Sequence, residues 1–244
     1  MQLTKHHGLA NDFLVVLDQA ADGDTARRLC HRRTGIGADG LIAADTSGAP
    51  DRIVMQLWNA DGSRAEMSGN GIRCLAQALV DAGIVGEGEI TITTDAGNRW
   101  LRIGPETSPG TRTVTVDMGA ADGTIDAGGD TASVSMGNPH TVLRVDDVAT
   151  LPPGHDDATR NVEFVRPGPE PDAITMRVIE RGVGETQACG TGACAAAWAA
   201  NRWGLTGNVV TVHQPGGDAL VELKPDTILL TGPATHIATI SARV

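Results

Sequence analysis

The sequence predicts an α+β protein built from two copies of one domain. Three observations carry this. Strand signals come in runs with few helices between them. Two glycine-rich turns of one pattern each open a small-residue helix, and they stand half a chain apart. The chain of 244 residues is long enough for two domains with real cores.

The strand signals are alternating apolar and β-branched residues. They cover 52–59, 89–94, 112–119, 141–145, 173–182, 208–213, 218–223 and 227–232. Helices are read over 24–33, 70–83 and 191–204. The last two end on Gly83 and Gly204, suited to the left-handed position that follows a helix. The repeat sets 66-EMSGNGIRCLAQALVDAG-83 beside 187-QACGTGACAAAWAANRWG-204. Each places serine or cysteine before Gly-x-Gly, then a helix of similar length, then glycine. A second echo, 114-VTVDMG-119 against 132-ASVSMG-137, falls near the midpoint, so the boundary is placed between 113 and 130.

Composition removes several function classes. The net charge is −11 and no run of Lys or Arg exists, which argues against nucleic-acid binding. Lys5 and Lys224 are the two lysines, and neither has the setting of a buried Schiff-base lysine. Pyridoxal phosphate, and any other cofactor, is therefore not expected. Cys30, Cys74, Cys189 and Cys194 form no CxxC and no zinc-knuckle spacing, so no metal is expected. The histidines other than His140 read as ordinary surface or half-buried residues. With no long apolar span or signal-like segment, a membrane role is not expected. A reducing cytoplasm, with all four cysteines as thiols, is the simplest setting.

The second glycine turn suggests the chemistry. Cys189 sits just before a helix start, where backbone N–H groups lack helical partners and carry partial positive charge. That setting is expected to lower a thiol pKa and to hold an anion such as a carboxylate. Cys30, Cys74 and Cys194 fall among apolar helix neighbours and read as structural. Facing the two turns across a pseudo-two-fold would aim two helix N-termini at one anion, with residues 68 and 189 on opposite sides. One group then removes a proton beside a carboxylate and the other returns one to the opposite face.

Here the sequence resembles the diaminopimelate epimerases, cofactor-independent amino-acid epimerases that use two cysteines. The matching stretches are 8-GLANDF-13, 34-TGIGADG-40, 58-WNADGSRAEMSGNGIRC-74, 136-MGNPH-140, 161-NVEF-164, 180-ERGVGETQACGTG-192 and 215-PGG-217. The resemblance implies two pseudo-symmetric domains, each a curved antiparallel sheet wrapped round a central helix, with the active site in the cleft between them. It places the first domain at 1–113 plus a returning strand over 233–244, and the second at 114–232. It implies that position 68 and Cys189 are the acid/base pair. Gly69 and Asn70, with Gly190 and Thr191, would hold the reacting carboxylate. Asn11, Asn59, Asn138, Asn161, Glu180 and Arg181 would surround the rest of the substrate, Arg181 as a bidentate partner for a distal carboxylate. His140 would support the pair. The implied substrate is the small molecule diaminopimelate, taken from the LL to the meso form in lysine and peptidoglycan synthesis, by a homodimer.

Two positions depart from the family pattern. Ala10 stands where a glycine is usual, and Ser68 stands where the first cysteine is expected. A serine hydroxyl titrates far above a thiol and acts as a base only if a neighbour takes its proton. Cys74, six residues on along the helix, is a poor substitute. Three accounts of Ser68 stay open: a replacement that traps an inactive complex, a slow epimerase that relays protons through water and His140, or a one-base enzyme. The alternatives to the epimerase reading are thus a one-base isomerase or dehydratase, an epimerase of another amino acid, and a non-catalytic binder.

Overall fold

The computed structural model describes residues 1–151 and 159–243. Among these the protein is mostly strand, with three helices. The chain divides into two compact units, Met1–Val116 with Gly232–Val244, and Asp117–Thr231.

Unit 1 starts with a hairpin of β1 (Gln2–Gly8) and β2 (Asn11–Leu17). Its two-residue turn puts Leu9 at φ 55° and Ala10 at φ 63°, the left-handed geometry that matches strand twist. A side chain there costs roughly 1–2 kcal/mol. Ala10→Gly relieves that cost and adds some unfolded-state entropy. The net expectation is a gain of about 0.5–1 kcal/mol, read from the urea midpoint.

Helix α1 (Gly23–Cys30) then leads to β3 (Gly40–Gly48), β4 (Arg52–Asn59) and the short β5 (Arg64–Ala65). The helix expected to reach residue 33 stops at Cys30. The chain folds back over its end, where a Cβ on Gly35 would lie 2.3 Å from the Arg28 carbonyl oxygen. Helix α2 (Gly69–Asp81) follows, then β6 (Gly88–Thr94), β7 (Gly97–Ser108) and β8 (Thr111–Asp117).

Residues 12–16 and 40–44 are buried without alternation. Leu14, Val16, Leu41 and Ala43 pack with Ala26 and Leu29 of α1. On the other face, a Cβ on Gly71 of α2 would meet Phe13 and Ile42. Continuous apolar runs arise when a sheet is covered on both faces. Helix α2 is buried from Gly69 to Leu79, its polar Asn70, Arg73 and Gln77 included.

Unit 2 runs β9 (Asp122–Ile125), β10 (Thr131–Ser135), β11 (Pro139–Arg144), β12 (Asn161–Pro167), β13 (Ala173–Glu180), β14 (Gly184–Thr186), α3 (Gly190–Arg202), β15 (Val209–Gln214) and β16 (Gly217–Leu223). The long β17 (Ile228–Ser241) ends the chain. Gly83 and Gly204 both adopt positive φ after their helices, at 69° and 72°.

The pairing pattern repeats. β1–β2 and β10–β11 are antiparallel, and β2–β3 and β11–β12 are parallel. The next strands continue antiparallel, and β4–β6 and β13–β15 are again parallel. The sheets are thus mixed, which corrects the antiparallel expectation. Parallel neighbours need long crossovers, and α1, α2 and α3 each lie in one. The echo of 114–119 with 132–137 also falls away. It joins the last strand of one series, β8, to the first of the other, β10.

Each series is completed by chain that follows the other. β17 pairs with β16 at Leu220–Leu223 and with β1 from Gln2↔Ser241 to His7↔Thr235. β9, after β8, pairs with β10. Val244, the end of the 233–244 stretch, lies outside the described residues. Among the described residues no helix is long and apolar enough to cross a membrane.

Candidate active site

Ser68 and Cys189 occupy one structural position in the two units. Each is the N-cap of its helix, with φ/ψ of −136°/125° at Ser68 and −127°/117° at Cys189. Ser68 Oγ accepts from the Gly71 N–H at 3.1 Å, and Cys189 Sγ accepts from the Gly192 N–H at 3.4 Å. The next N–H groups have no carbonyl partner within the helix. Gly69 and Asn70 hold those positions in α2, and Gly190 and Thr191 in α3. Two helix starts with N–H groups free to receive an anion therefore each carry a side chain beside them.

In unit 1 the side chain of Asn70 is used for support. Its Nδ2 donates to Asn11 Oδ1 at 3.1 Å, and its Oδ1 accepts from the fully buried Arg73 at 2.7 Å. Arg73 also donates to the Gly69 carbonyl at 3.1 Å. Asn11 in turn donates to Asp39 at 2.7 Å. Asn59 closes the β4–β5 hairpin, with Nδ2 on Ser63 Oγ at 2.9 Å. Cys74 is fully buried and burial pushes its thiol up to about 12, so it offers Ser68 no substitute. All four cysteines are thiols.

In unit 2 the surroundings of Cys189 are denser. Its backbone N–H donates to Gln214 at 2.9 Å, and Thr191 Oγ1 lies 3.5 Å from Sγ. Asn138 donates to Thr191 at 3.4 Å, while its Oδ1 faces His140 Nε2 at 3.1 Å. His140 Nδ1 lies 2.7 Å from Glu163 Oε1, both side chains fully buried. Glu163 presses on the helix start, since a Cβ on Gly192 would lie 2.6 Å from its Oε1. Glu180 accepts from Thr186, and its carboxylate lies near enough to Cys189 to act on the charge of the thiol. Asn161 accepts from the Arg181 N–H at 2.9 Å. Among the described residues no carboxylate pairs with the exposed Arg181 guanidinium.

The electrostatics correct one expectation. The helix start was expected to lower the Cys189 pKa. Burial first, then the nearby Glu180 and Glu163 carboxylates, push it well above the ordinary thiol value. The hydrogen bonds from Thr191 and Gly192 pull the other way and lose. Burial likewise raises the Glu180 carboxyl, so its affinity for a proton rises beside the thiol.

Of the residues expected to act together, unit 1 holds Asn11, Asn59, Ser68, Gly69 and Asn70. Unit 2 holds Asn138, His140, Asn161, Glu180, Arg181, Cys189, Gly190 and Thr191. Sequence reasoning gave no role to Glu163, Gln214 or Arg73. The signal for two of them is a lone charge inside an apolar element: Glu163 in 161-NVEFV-165 and Arg73 in 70-NGIRCLAQALV-80. Gln214 gave none.

The diaminopimelate epimerase family model matches residues 3–123 and 132–237. A diaminopimelate epimerase from Moorella thermoacetica is 41% identical, covering 97% of both chains. That of Desulfitobacterium hafniense is 39% identical, covering 97% of this chain and 96% of its own. Among solved structures, a predicted epimerase from Pseudomonas aeruginosa superposes with a TM-score of 0.81 at 17% identity, over 100% of this chain and 99% of the other. A hydroxyproline epimerase from Agrobacterium vitis gives 0.69 at 14% identity, over 98% and 90%. These two show a shared fold. With the family model spanning nearly its whole length and relatives near 40% identity, the chain belongs to the diaminopimelate epimerase family.

Proposed function

We propose that the protein interconverts LL- and meso-diaminopimelate without a cofactor, with Cys189 and Ser68 on opposite faces of the reacting carbon. The observation that carries this is the matched pair of helix caps, each a protic side chain beside N–H groups able to hold a carboxylate. The two repeats are drawn as 1–113 plus 233–244 and 114–232.

Cys189 starts as a thiol, so its proton must first move. Glu180, whose charge acts on the thiol and whose proton affinity is raised by burial, is the acceptor. The thiolate then takes the α-hydrogen as a proton, and the electron pair spreads into the substrate carboxylate. The N–H groups of Gly69, Asn70, Gly190 and Thr191 stabilise that developing charge. A proton delivered from the Ser68 side completes inversion. The Ser68 hydroxyl serves as donor in that step, and water must restore its proton. In the reverse direction serine is a weak base, so this reading makes the enzyme slow. Asn138, itself held by His140, holds Thr191, and Asn161 holds the backbone of Arg181. A cytoplasmic setting keeps Cys189 reduced, and the reading includes a homodimer, checked by sedimentation.

The test is α-hydrogen exchange from LL-diaminopimelate in deuterated water. Slow exchange with inversion supports this reading. Exchange with retention, or loss of product, favours a one-base isomerase or dehydratase, the second reading that Ser68 specifically motivates. Tight binding without exchange leaves a binder. Arg181→Lys is expected to raise KM about tenfold with little change in kcat, because the planar fork for a distal carboxylate is lost. An unchanged KM in steady-state assays removes that role.

A further inference from the structure

His6 and His236 are register partners across the antiparallel β1–β17 pair, beside a register shift at Lys5/His6. Directly opposed residues leave the same face of a sheet. Their rings lie 4.9 Å apart between centroids. Asp81, the last residue of α2, reaches the same place, with Oδ2 2.9 Å from His236 Nδ1. One ligand atom from each of the three lies within 4.8 Å of the other two. The sequence reading, which expected half-buried histidines and no metal, missed this because the three residues are far apart along the chain.

A second observation points to a ligand. His6 is fully buried, and its Nδ1 has no hydrogen-bond partner among the described residues. An orphaned buried nitrogen is costly. The other ring nitrogen, Nε2, lies 2.8 Å from Thr4 Oγ1. With Nε2–H donating there, Nδ1 carries a bare lone pair. A ring with one N–H and one bare nitrogen is the neutral form, the one that binds metals. The other two groups are also held from behind. Gln77 donates to Asp81 Oδ1 at 2.7 Å, and Thr239 Oγ1 lies 3.4 Å from His236 Nε2. Outer hydrogen bonds of this kind orient metal ligands.

We infer that His6, Asp81 and His236 form a site for one divalent cation of the zinc class, with a fourth position left to water. Two imidazoles and one carboxylate suit zinc or cobalt over magnesium or calcium, which prefer all-oxygen shells. Bond lengths of about 2.0–2.2 Å require the three atoms to draw in by roughly an ångström, within side-chain reach. The cation ties β1, β17 and the end of α2 together. Ser68 caps the opposite end of that helix, roughly 20 Å away at 1.5 Å per residue, so the site is structural.

The test uses the full chain, stripped with a chelator and titrated with zinc chloride and, separately, cobalt chloride. One zinc per chain is expected, with submicromolar Kd and a thermal midpoint raised by several degrees. Asp81→Asn and His236→Gln should each weaken zinc binding at least a hundredfold and remove the thermal gain. Their circular dichroism and α-hydrogen exchange should stay unchanged. The cobalt form should show ligand-field bands without a thiolate charge-transfer band. No binding, zinc retained by both variants, or a thiolate band placing the metal on cysteine overturns the site. Where His236→Gln fails to fold, Asp81→Asn and the cobalt spectrum of the parent protein decide.

Discussion

Ser68→Cys is expected to raise epimerase turnover about a hundredfold, equivalent to about 3 kcal/mol of barrier. The backbone is already shaped for the change. The φ/ψ pair at Ser68 lies within about ten degrees of that at Cys189. The Cβ that each following glycine lacks would sit 3.2 Å from the Cβ of Ser68 or Cys189 in both turns. The Gly71 N–H, which now binds Ser68 Oγ, is placed to bind a sulfur as the Gly192 N–H does. A thiol both gives and takes a proton near its own pKa, where a hydroxyl, titrating far above it, gives one reluctantly and takes one only after a neighbour has removed its own. Initial rates in both directions measure this. The larger gain is expected where position 68 must act as base, and a rate equal to the parent's would remove residue 68 from the proton path.

Cys189→Ala is expected to abolish both α-hydrogen exchange and inversion, by about 10⁴-fold or more, the upper range for a general base. Exchange is the sharper readout, because it needs one base only. Exchange that survives the substitution would assign the proton to another group. In the parent protein the sign of the pH dependence follows from the raised thiol. Only the thiolate removes a proton, and burial with Glu180 and Glu163 keeps the free-enzyme thiol protonated above its usual range. Exchange kcat/KM should therefore climb with pH through neutrality into the alkaline range. Glu180→Gln should lower that rate, since the internal acceptor of the Cys189 proton is gone.

Much of the candidate site was legible in sequence because its parts are local. A cap, two glycines and a helix form a contiguous signal, and the repeat made it visible twice. Burial and charge from distant strands were not legible in that way. The sign of the Cys189 shift was misread for this reason: the helix start is a neighbour in sequence, while Glu163 and Glu180 arrive from β12 and β13. Strand positions such as 52–59 followed from alternation. Parallel pairing did not, because alternation describes one strand's faces and is silent about its neighbours. The double-sided burial of 12–16 and 40–44 was a clue to it, as runs without alternation imply cover on both faces.

The β1–β17 pairing has a consequence for biogenesis. Gln2 is aligned with Ser241, so the amino-terminal unit lacks its closing strand until residues 235–241 have been made. Until then β1 has β2 on one side and an open row of amides on the other. Such rows recruit other chains. A nascent protein stalled before residue 232 would therefore hold both helix caps yet be prone to aggregation. Slow release of the tail, more than slow folding of either half, is the hazard this architecture carries on the ribosome.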